Sequence, residues 1–260
     1  MDWRERGGVR WLEAAMPGAS AAFMTRSGGV SEPPFAALNL GIFTEDDREA
    51  VVENRHRLAA SLGFSPERIA AAHQVHGADL IEHRGQPAPR SSFAWQGLEK
   101  EQCSRGGGGL TEGDGHIVKE EGVAALVFVA DCVPVALSGP GGVAMLHCGW
   151  RGLAAGIIAK GVAAIGAADA VIGPSIGSCC YEVGDEVLAA FDHLGEGVAA
   201  DRMLDLPEAT RRLLAEAGVE QIETSGLCTS CESDLFFSHR RDRGRTGRQA
   251  GLVWRSVEEG

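Results

Sequence analysis

GVAALVFVADCVPVALSGPGGVAMLHCGWRG, residues 122–152, is the stretch on which the fold turns. Val123 to Ala130 is purely apolar and falls far short of the ~18 residues a membrane-spanning helix needs. A short apolar run bounded by turn residues reads as a buried strand. Val123 to Leu137 and Gly142 to Trp150 predict two such strands, joined as a hairpin through Ser138-Gly139-Pro140-Gly141-Gly142. The apolar pattern breaks at Asp131-Cys132 and at His147-Cys148, which puts polar, metal-binding residue types near strand ends.

Working outward, Ala21 to Thr25 predicts a strand that runs into a loop at Arg26-Ser27-Gly28-Gly29. Glu45 to Leu62 has helical apolar spacing, with Thr44 as N-cap, Asp47 three residues on and Gly63 past its end. His73 to Glu82 predicts a strand entered after a turn at Gly77. Gly85 to Gly115 has prolines, serines and four consecutive glycines with little periodicity, and is expected to be a flexible insertion. Helices are expected over Ala154 to Ile165, over Asp185 to Leu194, and after Asp205, where Pro207 and Glu208 complete a capped first turn and Gly218 stops it. Strands are expected at Asp169 to Ile172, Val219 to Thr224 and Gly251 to Arg255. No repeat, linker or shift of composition divides the chain, so residues 1–260 read as a single domain mixing strands and helices.

The chain has 260 residues, 44% of them apolar, and a net charge of 24 − 36 = −12. That composition excludes disorder, collagen and coiled coil. An acidic chain does not bind nucleic acid by neutralising phosphates, so any anionic ligand must meet local charge. The polar N-terminus carries no apolar segment of a secretory signal, which predicts a cytoplasmic protein with no membrane association. Seven cysteines in such a chain point to thiols, metal ligands or a nucleophile rather than a disulfide framework.

His76, Cys132 and His147 each stand where a predicted strand meets a turn or breaks its pattern. Three such ligands with an open fourth position make a catalytic zinc site, and zinc lowers the pKa of water towards ~7. The separations, 132 − 76 = 56 and 147 − 132 = 15 residues, do not select this role. Cys132 with His147 also fits a thiolate–imidazolium nucleophile, and a buried thiol beside a hydrogen-bonded histidine fits the same pattern. Cys228-Thr229-Ser230-Cys231 has knuckle spacing, but a structural zinc needs two more ligands and only the adjacent Cys179-Cys180 offer themselves, so two ordinary thiols are expected. Arg26 and Arg151 lie beside glycines just past buried strands, where a guanidinium meets phosphate or carboxylate. The basic run His239 to Arg248 is a solvated face or an anion-binding edge. Gly173-Pro174-Ser175-Ile176-Gly177 offers backbone N–H groups to an oxyanion, a weak signal alone.

Nine ordered motifs, TRSGGVS (25–31), LNLG (38–41), NR (54–55), QVHG (74–77), ADCVPV (130–135), HCGWRG (147–152), IGPSIG (172–177), YEVG (181–184) and FFSHRR (236–241), resemble the bacterial laccase-domain family. That family is also called polyphenol-oxidase-like, purine nucleoside phosphorylase-like, or peptidoglycan editing factor. The resemblance covers about residues 21 to 254. It implies an α+β fold of mixed sheets sandwiched between helices, and a zinc held by His76, Cys132 and His147. It also implies phosphorolysis of adenosine, inosine, guanosine and methylthioadenosine, with adenosine deamination.

Copper-dependent phenol oxidation, the family's older label, is disfavoured by the residues. A His₂Cys trio suits one copper, but a multicopper site needs a further histidine cluster, and the chain has 8 His and no His-x-His pair. Arg151 joins the trio as a catalytic residue, Arg26 is expected at phosphate, and Asn39, Gln74 and Asp131 are expected to position substrate or support the site. Two departures, Cys148 in place of the usual Ala and Gly113-Asp114-Gly115-His116 in place of Ala-Asp-Ala, bear on substrate preference. The rival readings are a metal-free Cys132/His147 hydrolase editing peptidoglycan precursors, and a non-catalytic partner of wall or cell-division enzymes.

Overall fold

The computed structural model describes residues 1–84 and 111–256. Two six-stranded sheets carry the fold. The first contains, in spatial order, β1 (Asp2–Arg6), β2 (Val9–Met16), β3 (Ala19–Met24), β14 (Gln249–Arg255), β7 (Ala124–Val129) and β4 (Ile69–Ala70). The second contains β13 (Gln221–Thr224), β10 (Asp169–Ile172), β8 (Val133–Gly139), β9 (Gly142–Cys148), β6 (Gly115–Val118) and β5 (Leu80–His83). Both mix parallel and antiparallel neighbours, and a two-stranded ribbon pairs β11 (Ala199–Ala200) with β12 (Met203–Leu204).

Three apolar layers hold them together. Between the sheets, Phe23, Val127 and Val253 meet Ala136, Met145 and Val171. Outside the first sheet, Leu58 and Ala59 of helix α1 (Arg48–Leu62) pack on Ala22, Leu126 and Leu252. Outside the second, α3 (Ile157–Ile165), α4 (Asp185–Phe191) and α5 (Leu206–Glu216) cover Val133, Val135 and Leu146. The result is the expected α+β arrangement of sheets sandwiched between helices. Strands buried on both faces read as continuous apolar runs.

That continuity conceals one feature. Val123 to Leu137 is not one strand: β7 belongs to the first sheet and β8 to the second, and the chain crosses between them at Asp131, whose φ of 87° is a left-handed conformation that non-glycine residues rarely adopt. The β8–β9 hairpin is as expected, closing at Gly139 opposite Gly142.

Several boundaries move. Two strands precede the expected one at 21–25, turning through Gly7 and Gly8, both with positive φ. Helix α1 starts at Arg48, because the Asp47 carboxylate, not Thr44, accepts the Ala50 N–H. The strand expected after the turn at Gly77 is β5, over Leu80–His83. Gly156, at φ 81°, divides the helix expected over 154–165 into α2 (Trp150–Ala154) and α3. Asp205 caps α5 as its spacing predicts, accepting the Glu208 N–H at 2.9 Å. Of the segment expected to be flexible, 85–110 lies outside the described residues. Residues 111–115, however, carry a bridge from Glu112 to His73 and the start of β6.

Candidate metal centre and its cavity

The crossing between the sheets delivers Cys132 immediately before β8. Facing it across the hairpin is His147, registered against Pro134 on β9. His76 arrives from the loop before β5 in a left-handed conformation, φ 59°. Uncommon backbone geometry at both Asp131 and His76 is strain of the kind that gathers at functional sites. The donor atoms of His76, Cys132 and His147 all lie within 4.8 Å of one another, and the two imidazoles stand edge to face with centroids 4.8 Å apart.

Asp114, fully buried, sets this geometry. Its Oδ1 accepts the His147 Nδ1–H at 2.7 Å and the His76 backbone N–H at 2.9 Å, and its Oδ2 accepts the N–H groups of Val75 and Gly77. These bonds hold residues 75–77, the turn that precedes β5. They also fix the His147 tautomer so that Nε2 is left for a ligand, the second-sphere pattern of metal-binding histidines. Gly149 gives the trio room, since a Cβ there would stand 3.1 Å from His76 Cδ2 and 3.3 Å from Cys132 Sγ.

Burial alone disfavours charge on both Cys132 and His147. It is outweighed: His147 and His76 pull the Cys132 thiol down, while Cys132 and Asp114 hold the His147 imidazole up. The cluster therefore favours a thiolate, the form in which cysteine binds metals. A soft thiolate with two imidazoles and an open side facing a cavity fits a catalytic zinc ion.

The cavity over the trio has a volume of about 560 Å³. Besides the buried Arg55, which donates to Leu40 O and stacks on Phe128, its wall supplies three further guanidinium groups in an otherwise acidic chain. Arg240 stacks on Tyr181 and donates to Glu182 O, and Arg248 donates to Thr246 O and Gly247 O. Arg151 stacks on Trp150 and is held by no hydrogen bond or ion pair among the described residues. Phe43 and His73, with ring centroids 4.9 Å apart, add an aromatic patch.

Of the residues singled out in the sequence, His76, Cys132, His147, Arg151, Gln74 and Asp131 line this cavity. Gln74 spends its amide on both backbone groups of Phe128. Asp131 accepts from Thr229 Oγ1 and the Arg240 N–H, each at 2.7 Å. Arg26 and Asn39 stand behind the wall. The Arg26 guanidinium donates to Ala36 O and Ser233 O and stacks on Phe237, while Asn39, fully buried, bonds Thr44, Asp46 and the Arg248 N–H. Cys148 points the other way from His147, as successive strand residues must, and burial pushes its thiol up.

Three residues of the basic run, His239, Arg240 and Arg248, line the cavity, while Arg241 pairs with Asp242 and Arg245 with Glu45. The N–H groups of Gly173, Ser175 and Ile176 are already bonded to Pro134 O, Leu227 O and Asp131 O and offer nothing to an oxyanion. Asp114, Phe43, His73 and Tyr181 were not foreseen as site residues, and Arg240 and Arg248 were foreseen only within a basic run read as a solvated face or an anion-binding edge. For Asp114 the one available signal was a lone carboxylate between glycines immediately before an apolar strand.

A family model described as "Multi-copper polyphenol oxidoreductase laccase" matches residues 20–256. The chain is 40% identical over 276 residues to a protein of Geobacillus stearothermophilus named purine nucleoside phosphorylase YlmD, covering 95% of each. It is 36% identical to purine nucleoside phosphorylase YfiH of Escherichia coli K12, covering 91% of this chain and 94% of the relative. Among solved structures, the hypothetical protein YfiH of Bacillus licheniformis superposes with a TM-score of 0.84 at 33% identity, covering 98% and 99% of the two chains. YlmD of Geobacillus stearothermophilus gives 0.81 at 37% identity, covering 98% of each.

Proposed function

The chain belongs to the multi-copper polyphenol oxidoreductase laccase family, and from that premise we propose that it is a cytoplasmic zinc-dependent purine nucleoside phosphorylase that also deaminates adenosine. The observation that carries the reading is the juxtaposition of a His76/Cys132/His147 ligand set with the wall arginines Arg151, Arg240 and Arg248 over one cavity. Adenosine, inosine, guanosine and methylthioadenosine are the substrates.

His76, Cys132 and His147 hold the metal, which when bound supplies a Lewis acid for a substrate oxygen and activates water for deamination. Arg151, whose guanidinium makes no hydrogen bond or ion pair among the described residues, takes phosphate, with Arg240 and Arg248 adding positive potential. In phosphorolysis a phosphate oxygen bonds to the sugar C1′ as the bond to the purine nitrogen breaks, and the base leaves with a proton. Phe43 and His73 offer faces on which a purine stacks. Asp114 acts through His147 as a positioning residue. Asp131 anchors Arg240 and the loop bearing Thr229, and Arg26, Asn39 and Gln74 fix the backbone around the cavity. Multicopper oxidation is disfavoured by the donor set, since among the described residues potential ligands gather only at this trio, which suits one copper, and at one group of four cysteines.

Release of hypoxanthine from inosine, followed with and without phosphate, tests the proposal. Phosphate-dependent release is expected, and its absence overturns the phosphorylase reading. One observation favours a second reading: Cys132, His147 and Asp114 stand in the nucleophile, base and orienting order of a thiol hydrolase, as a peptidoglycan-precursor editor would need. Activity that persists after the metal is stripped selects that alternative.

A further inference from the structure

Outside this cavity, four cysteines from two connections converge. Cys179 and Cys180 follow Gly177 in the segment between β10 and α4. Cys228 and Cys231 follow β13. Their sulfurs all lie within 4.8 Å of one another, and Cys231 Sγ is 3.5 Å from both Cys179 Sγ and Cys180 Sγ. These contacts are too long for a disulfide, whose sulfurs are about 2.05 Å apart. They suit a shared ion: at a Zn–S distance of about 2.3 Å, a tetrahedral four-thiolate site places its sulfurs about 3.8 Å apart.

The backbone around them is already arranged. Ser175 N donates to Leu227 O and Thr229 N to Ser175 O, a bridge that lays one connection along the other, and Gly177 N donates to Cys228 Sγ at 3.3 Å. No carboxylate competes within the group, and all four donors are soft sulfur, which selects zinc over magnesium or calcium. Neither connection has regular secondary structure to hold it, so a cross-link there has structural work to perform. We propose that Cys179, Cys180, Cys228 and Cys231 bind a second zinc ion, a closed structural site separate from the cavity.

The site bears on the cavity without lining its floor. The 227–231 connection carries Thr229, whose hydroxyl holds Asp131 beside Cys132, and the 177–180 connection leads directly to Tyr181, on which Arg240 stacks. A zinc clip between the two fixes both supports at once. The sequence offered Cys179-Cys180 as the two further ligands that Cys228 and Cys231 would need, with ordinary thiols as the expectation; 51 residues separate Cys180 from Cys231, and the fold closes that distance.

Metal analysis of a Cys132→Ala variant tests the proposal, because that change removes the thiolate of the cavity site. The purified variant is expected to retain one zinc per chain. Reconstituted with Co²⁺, it should show intense thiolate-to-cobalt charge-transfer absorption and tetrahedral ligand-field bands. Adding Cys228→Ser and Cys231→Ser should abolish both. A Cys132→Ala protein without metal, or a triple variant that keeps it, overturns the proposal. Should the triple variant fail to fold, alkylation of the wild type decides. Protection of Cys179, Cys180, Cys228 and Cys231 by zinc, lost on chelation, supports the site, whereas equal labelling before and after chelation, or a disulfide among them in freshly purified protein, contradicts it.

Discussion

Asp114 Oδ1 accepts a 2.7 Å hydrogen bond from His147 Nδ1, and the same carboxylate holds the loop bearing His76. One buried acid thus orients two of the three proposed ligands. Asp114→Asn removes the charge and leaves one oxygen where two now accept. Zinc affinity is expected to fall about 10–100-fold, the usual cost of losing such a partner. Competition with a chromophoric chelator measures it, and wild-type affinity in the variant would separate Asp114 from the metal centre.

Gly149 is required by space rather than by conformation, its φ of −74° being open to any residue. A methyl group at this position meets His76 and Cys132 within 3.3 Å. Gly149→Ala is expected to lower metal occupancy and activity together, with little change in unfolding temperature because the added group faces the cavity. Occupancy by elemental analysis beside a thermal melt checks this; a variant that melts early yet keeps its metal would show the crowding is felt elsewhere.

Arg151→Gln should act on phosphate more than on nucleoside. A hydrogen bond to a charged group contributes about 1.5–3 kcal/mol, so KM for phosphate is expected to rise roughly tenfold to a hundredfold. The KM for inosine should change by about twofold or less. Equal effects on both substrates would remove the assignment.

His116 gives the fold an acid-sensitive point. It is fully buried on β6, where Nδ1 meets His83 Nε2 at 2.9 Å and Nε2 has no partner among the described residues. Burial, aided by His83 and opposed by Asp114, pushes its pKa down to about 3, and burial lowers His83 as well. The unfolded chain therefore binds more protons than the native one below about pH 6.5. Stability falls as pH drops from there towards 3, by up to about 1.4 kcal/mol per pH unit for each such group. Denaturant midpoints measured across that range should decline less steeply in His116→Leu than in the wild type. Parallel curves would mean the pair is not the cause.

The layers of the fold were legible because buried strands and capped helices obey local rules: Asp205 before Pro207 and Glu208, and Gly139 to Gly142 between two apolar runs. The passage from one sheet to the other at Asp131 was not, since β7 and β8 are buried on both faces and read as one run. His76, Cys132 and His147 were visible as breaks in an apolar pattern. Asp114 was hidden by its turn-like neighbours, and Arg240 and Arg248 lay in a charge run that read as a solvated face or an anion-binding edge. Arg26 carried the same local signature as Arg151, and only tertiary contacts with Ala36 and Ser233 distinguish them. The four-cysteine cluster required the parallel pairing of β10 with β13, at one edge of the second sheet, to be in place.

Phosphorus NMR of a reaction containing inosine and phosphate tests the central claim most directly. The wild-type protein is predicted to convert inorganic phosphate into a sugar 1-phosphate, one for one with hypoxanthine, and Cys132→Ala to do neither. Hypoxanthine without a new phosphorus signal, or turnover undiminished in Cys132→Ala, would contradict it.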